Sequence, residues 1–247
     1  IPDSVTSIGN AFSGCSSLKN ITISDSITGI DDNAFNGCSS LTSITIPNRV
    51  TTIGYQAFSG CNSLESITIG DKVNSISYLA FEHCDSLNKV VWNAESCTIT
   101  NNMGSYLFSD CLNLTTIMFG ENVKSIPGNV FTGLSLLKYN EYDNGLYLGN
   151  DVNPYVVLIK AKQEDIITCK INEKCKFIFD YAFSNCTSLT SVTIPDSVTS
   201  IGYRAFDCRL SALNYNGTKA QWNNISKDEY WNSSITSIKC SDGTINL

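Results

Sequence analysis

One phenylalanine recurs at a fixed interval, and that interval limits the fold more than any other property of the chain. Phe12, Phe35, Phe58 and Phe81 are 23 residues apart, as are Phe108 and Phe131, and again Phe183 and Phe206. Phe81 and Phe108 are 27 apart, and Phe131 and Phe183 are 52 apart. The surrounding residues repeat as well. Ile30–Leu41 reads IDDNAFNGCSSL, Ile53–Leu64 reads IGYQAFSGCNSL and Ile76–Leu87 reads ISYLAFEHCDSL. An Ala precedes the Phe, a Cys follows three residues later and a Leu three after that. A unit this short cannot bury its own apolar face. It gains a core only by stacking on its neighbours, which makes a solenoid.

Each unit also carries a strand. Leu41, Ile44 and Ile46 read L-x-x-I-x-I, and Leu18–Ile23, Leu64–Ile69, Leu87–Trp92, Leu114–Phe119, Ile166–Ile171 and Leu189–Ile194 follow the same alternation. Alternation with β-branched content predicts short strands. One strand per unit, always in the same direction, predicts a parallel sheet. Pro47 and Pro195, or Gly70 and Gly120, end the strand, and Val50 and Ile53 turn inward after it. The Ala-Phe-x-x-Cys piece has room for a single α or 3₁₀ turn.

These residues resemble the Treponema-type, or BspA-like, leucine-rich repeat of bacterial surface proteins. The pattern covers residues 18–138 and 166–215. The resemblance implies an α/β solenoid, a right-handed superhelix with the parallel sheet on its concave face. It also implies an extracellular, cell-surface location and a role in adhesion.

Two stretches break the repeat. Residues 93–104 lengthen one unit by four, with Asn101-Asn102 and Gly104 read as a surface loop. Residues 139–163 hold Leu146-Tyr147-Leu148, the turn cluster Asn150 to Pro154, and the β-prone Tyr155 to Ile159. They predict an inserted β-hairpin, protruding from the solenoid or folded onto it. The expected domains are a solenoid of about nine coils over 1–216 and a C-terminal cap over 217–247. In the cap, Trp222 and Trp231 would cover the last coil and Ser241-Asp242-Gly243 would form a hairpin turn. Ile1–Gly9 repeats Ile194–Gly202 residue for residue, so the chain is expected to open inside a coil.

The formal net charge of −7 argues against nucleic acid and anionic membrane as partners. No apolar run is long enough to span a bilayer. Of the eleven cysteines, Cys15, Cys38, Cys61, Cys84, Cys111 and Cys186 follow column phenylalanines, and Cys169 and Cys175 take other core positions. Cysteine packs as a small hydrophobe, so these should be reduced and buried. Cys97 and Cys240 fall outside this ladder and are expected to be the reactive thiols.

Sequence motifs for chemistry are missing. There is no phosphate loop, dinucleotide fingerprint, zinc-protease motif or nucleophile elbow. One histidine, His83, offers little acid–base or metal chemistry and reads as an exposed turn residue. The reading is therefore non-enzymatic, with no catalytic residue, metal or cofactor. What remains is a surface. Most outward strand residues are Ser or Thr, which support a sheet in any case. Lys89, Val91 and Met118 interrupt them beside Thr116, and Tyr147 and Tyr155 lie on the insertion. Exposed tyrosines are favoured interface anchors, so these six residues form the candidate binding surface. The expected partner is a protein or glycan of a host or neighbouring cell. The alternative is a passive spacer that displays other domains.

Overall fold

The computed structural model describes residues 1–100, 106–128, 130–131 and 133–247. The expected loop residues Asn101, Asn102 and Gly104 lie outside that set. The chain divides into two compact units, Ile1–Lys138 and Tyr139–Leu247. Both are mostly β solenoid with parallel ladders.

In the first unit, the strand of each repeat pairs with the same strand one repeat later. Ser43–Thr45, Ser66–Ile69, Lys89–Trp92 and Thr116–Phe119 form a four-stranded parallel sheet in that order. A second parallel sheet joins Gly29–Ile30, Thr52–Ile53, Ser75–Ser77 and Thr98–Thr100. The lengthened repeat thus keeps its place in the second sheet through Thr98–Thr100.

The core is a stack of identical layers. Phe35, Phe58 and Phe81 are fully buried. Their rings lie 5.3 Å apart and within 7° of parallel. The small Ala before each Phe lets the turns approach. In the first unit the buried thiols that follow column phenylalanines donate to the carbonyl of the Phe one coil back, while Cys15 at the end of the column is exposed. Cys38 reaches Phe12 at 3.1 Å, Cys61 reaches Phe35 at 3.3 Å, Cys84 reaches Phe58 at 3.3 Å and Cys111 reaches Phe81 at 3.0 Å. A weak S–H donor at this position gives the buried carbonyl a second partner.

The Ala-Phe-x-x-Cys segment is not the expected helical turn. Among the described residues the only helix is Lys219–Asn224, outside the Phe column. The segment is instead a run of reverse turns that spends alternate amides in two directions. Ala34, Asn36 and Cys38 donate to Asp31, Asn33 and Phe35 three residues back. Asn33, Phe35 and Gly37 donate to Tyr55, Ala57 and Ser59 of the next coil, at 2.8–2.9 Å. A helix would turn every amide inward and leave the neighbouring coil's carbonyls unpaired. Left-handed residues flip the alternate peptides: Asn33, Gln56, Leu79, Tyr181 and Arg204 have φ between 47° and 58°. Four residues on, Gly37 and Gly60 have φ near 70°, and His83 occupies the same position at 54°.

Between these turns an Ile-Gly step makes room for an aspartate of the coil before. Asp32 Oδ1 accepts from the Tyr55 amide at 2.7 Å, and Asp180 Oδ1 accepts from Tyr203 at 2.9 Å. A Cβ on Gly54 would sit 2.5 Å from the Asp32 backbone nitrogen, and one on Gly202 would sit 2.2 Å from Asp180 Oδ1.

In the second unit, Gly145–Leu148 and Val157–Ala161 pair antiparallel. Asn140–Tyr142 adds a further antiparallel strand through the two-residue turn Asp143-Asn144. The insertion is built into the unit: Val157–Ala161 also pairs parallel with Phe177–Ile178, which continues to Ser200–Ile201 and Ser226–Lys227. The other sheet runs Thr168–Lys170, Ser191–Ile194, Ala212–Tyr215 and Ser237–Cys240 in parallel, and Gly243–Asn246 returns antiparallel through Ser241-Asp242. Residues 217–247 thus extend both ladders. Trp222 and Trp231 are buried in the same core cluster, and the Trp231 ring meets the Phe206 ring edge-on at 5.9 Å.

Candidate functional site

Four of the six candidate residues are brought together by strand register. Lys89 pairs with Thr116, and Val91 with Met118, on adjacent strands. Val90, Trp92, Ile117 and Phe119 between them are buried, so alternation turns the other four to the opposite face. All four are half-buried there. The preceding strands place Ser43, Thr45, Ser66 and Thr68 in the same two columns. The face therefore changes from small hydroxyl side chains to a cluster of one cation, one branched aliphatic, one hydroxyl and one thioether. Beneath it, Trp92 and Phe119 replace the isoleucine of the neighbouring coils. The buried indole nitrogen of Trp92 has no hydrogen-bond partner among the described residues.

Tyr147 and Tyr155 lie on the insertion. They belong to the 139–247 unit, and Tyr147 is fully buried. Its ring packs in the core, its hydroxyl accepts from the Asn172 amide at 3.3 Å, and burial pushes its phenol well above the ordinary value. Tyr155 lies against the same core, edge-on to Tyr147 at 5.5 Å and to Tyr142 at 5.8 Å. Alternation carries Tyr147 inward, and its long side chain fills the space between Gly145 and Leu158, where its atoms would lie 2.7–2.8 Å from any Cβ at position 145. Tyr147 is thus a core residue rather than a surface anchor, while Tyr155 is half-buried at the edge of that core.

The cysteines offer no reactive centre among the described residues. All eleven are free thiols, and ten are buried. Burial raises Cys38 to about 11 and Cys61 and Cys175 to about 12. Cys97 is also buried and raised to about 12 by desolvation, and Cys240 is buried, so neither is the exposed thiol expected from the sequence. That position falls to Cys15. Thiols held protonated at neutral pH are poor nucleophiles and poor metal ligands. Among the described residues, no group of three or more His, Cys, Asp or Glu side chains is arranged to hold a metal ion. His83 lies exposed in its turn, 4.0 Å from Glu82 and 3.7 Å from Asp110. No helix among the described residues is long and apolar enough to cross a membrane.

Six copies of a family model described as the BspA type leucine rich repeat region match the chain, over residues 1–103, 93–152 and 161–247. Among solved structures, the chain is similar to a leucine-rich repeat protein from Bacteroides ovatus, with 27% identity over 85% of this chain and a TM-score of 0.42. It is similar to a leucine rich cell surface protein from Faecalibacterium prausnitzii, with 25% identity over 90% of this chain and 72% of that one, and a TM-score of 0.30. It is also similar to the T. pallidum leucine-rich repeat protein, with 21% identity over 76% of this chain and a TM-score of 0.40. The chain spans 59% of the Bacteroides ovatus structure and 66% of the T. pallidum one. No curated protein matches it. With coil-to-coil ladders, a stacked Phe column and a family match over nearly its whole length, the chain belongs to the BspA-type leucine-rich repeat family.

Proposed function

We propose that the chain is a non-catalytic binding module of an extracellular bacterial surface protein. It engages a protein or glycan of another cell through the Lys89, Val91, Thr116 and Met118 face. One observation carries the reading: the hydroxyl columns are interrupted at three positions, Lys89, Val91 and Met118, that strand register makes neighbours of one another and of Thr116. A sheet that only holds coils together has no need of that interruption. The extracellular setting and the non-enzymatic role are both supported by membership of the family.

The test is to probe an array of extracellular-matrix proteins and glycans with the intact chain and with a Val91→Thr/Met118→Thr variant. Removing two apolar contacts should weaken a genuine ligand by roughly tenfold or more, at about 0.8 kcal/mol per CH₂ withdrawn from the contact. Thr45→Ala should change it little. A ligand held equally by all three chains would remove the case for this face. An array without hits would favour the spacer reading.

A further inference from the structure

In the second unit the three positions before each column aromatic include turn residues that reach the surface. In the 139–247 unit those positions hold Tyr181, Tyr203 and Tyr230 on successive coils. Their rings touch edge to face, with centroids 5.4 Å and 6.0 Å apart. Tyr181 is 42% exposed and Tyr230 is 55% exposed, with Tyr203 half-buried between them. The comparable pair in the other unit, Tyr55 and Tyr78, is half-buried at both rings. The row in the second unit therefore presents more aromatic surface than packing between coils requires.

The row is also acidic. Asp180 accepts from the Tyr203 amide and Asp228 from the Tyr230 amide, so both carboxylates are fixed beside it. Burial, and then the charge of Asp228, hold the Asp180 carboxyl above its ordinary value. Glu229 is exposed next to Tyr230. Among the described residues a single cation rests on these rings. Arg204 holds its guanidinium 5.4 Å from the centre of the Tyr203 ring and 3.7 Å from Asp207. This contact displays within the chain what the surface can receive: a guanidinium with a ring face under it and a carboxylate beside it. Tyr181 and Tyr230 offer the same chemistry, and no cation lies over either ring among the described residues.

We propose that the Tyr181–Tyr203–Tyr230 row is a docking strip for an extended, arginine-rich segment of a protein partner. Guanidinium groups would stack on the outer rings and pair with the neighbouring carboxylates. Three features favour this occupant. Arg is the cation best suited to stack on an aromatic face and bond a carboxylate in one geometry. In an extended peptide the side chains of one face recur every ~6.6 Å, close to the step between neighbouring rings, so alternate members of that face can reach the two outer rings. The excess of carboxylates over the single, already paired arginine favours a positive partner. The strip lies in a different compact unit from the Lys89–Met118 face and does not depend on it.

The test uses the intact chain and a fluorescein-labelled peptide, Arg-Thr-Arg-Thr-Arg, followed by anisotropy. Saturable binding is expected, tighter than for the Lys-Thr-Lys-Thr-Lys peptide and absent for the Glu version. Tyr181→Ser/Tyr230→Ser should raise Kd about tenfold, the loss of two exposed cation–π contacts. Both rings are on the surface, so the melting temperature should hold. Asp228→Asn keeps the acceptor for the Tyr230 amide and should raise Kd about threefold, as expected for an exposed ion pair. Val91→Thr/Met118→Thr should leave Kd unchanged. Equal affinity for the Arg and Lys peptides, or a double tyrosine variant that binds as well as the parent, would reduce the effect to diffuse electrostatics and overturn the proposal. Binding of a neutral oligosaccharide with no binding of the Arg peptide would also overturn it and make the strip a glycan platform.

Discussion

Phe58→Ala removes one ring from the middle of the aromatic column. Phe58 is fully buried between Phe35 and Phe81, each 5.3 Å away and 7° from parallel. Deleting a buried Phe side chain costs about 3–5 kcal/mol, as lost transfer energy plus the cavity left behind. Relaxation should be limited here, because backbone ladders fix the coils on both sides: Phe35 N–H donates to Ala57 O and Phe58 N–H to Ala80 O, both at 2.8 Å. The upper half of that range is therefore expected, about 4 kcal/mol. Phe12 is the contrast, being half-buried and stacked on Phe35. With a smaller buried area and one fewer stacking partner, worth about 1 kcal/mol, Phe12→Ala should cost about half as much. Native-state hydrogen exchange is the suitable assay, since a solenoid opens locally and need not unfold in one step. At 1.4 kcal/mol per factor of ten, the amides at positions 35 and 58 should exchange about a thousandfold faster in the Phe58→Ala variant. The acceleration should fade in coils further along the stack. Less than tenfold acceleration, or the same loss from both variants, would refute the view that the column is a rigid, layered core.

Other consequences can be checked separately. Maleimide labelling of the native chain should modify Cys15 first and leave Cys97 and Cys240 slow, and denaturation without reductant should expose all eleven thiols. Gly54→Ala drives a methyl group into the Asp32 backbone, 2.5 Å away, and should lower stability by roughly 1–3 kcal/mol on thermal melting, as overpacking does, whereas Ala at the exposed Thr42 should be near neutral. Asp180 has a folded pKa above its unfolded one, so its contribution favours the native state at low pH and is lost as pH rises through the folded value. Asp180→Asn, which keeps the acceptor for Tyr203, should therefore raise the melting temperature at pH 7, and the gain should shrink toward pH 3; a gain that grew on acidification would contradict the assignment. Ending the chain at residue 216 removes the strands that pair with Ala212–Tyr215 and Ser200–Ile201, and hydrogen exchange there should accelerate, while unchanged exchange would make the tail dispensable.

The repeat determined most of this architecture before any coordinates. A 23-residue period with one column Phe forces every coil to repeat the contacts of the last, so the parallel ladders, the buried cysteines and the inward isoleucines all follow from position within the unit. The Lys89, Val91, Thr116 and Met118 cluster was legible for the same reason, since register follows from the repeat. Other features were settled only by the folded chain. The turn after each strand had helical length, but neighbouring coils claim alternate amides, and left-handed residues such as Asn33 and Leu79 take the place of a helix. Glycine in that role is recognisable in a sequence; a leucine or tyrosine is not. The insertion lies off the period, so nothing local revealed that Tyr147 turns into the core or that Val157–Ala161 joins a parallel ladder. Cys97 also lies off the Phe column, and its burial depends on how the lengthened repeat packs. The tyrosine row was hidden because Tyr181, Tyr203 and Tyr230 stand two, three and one residues before their column aromatic. Their offsets differ along the chain, and only the stacking of three coils brings the rings into contact.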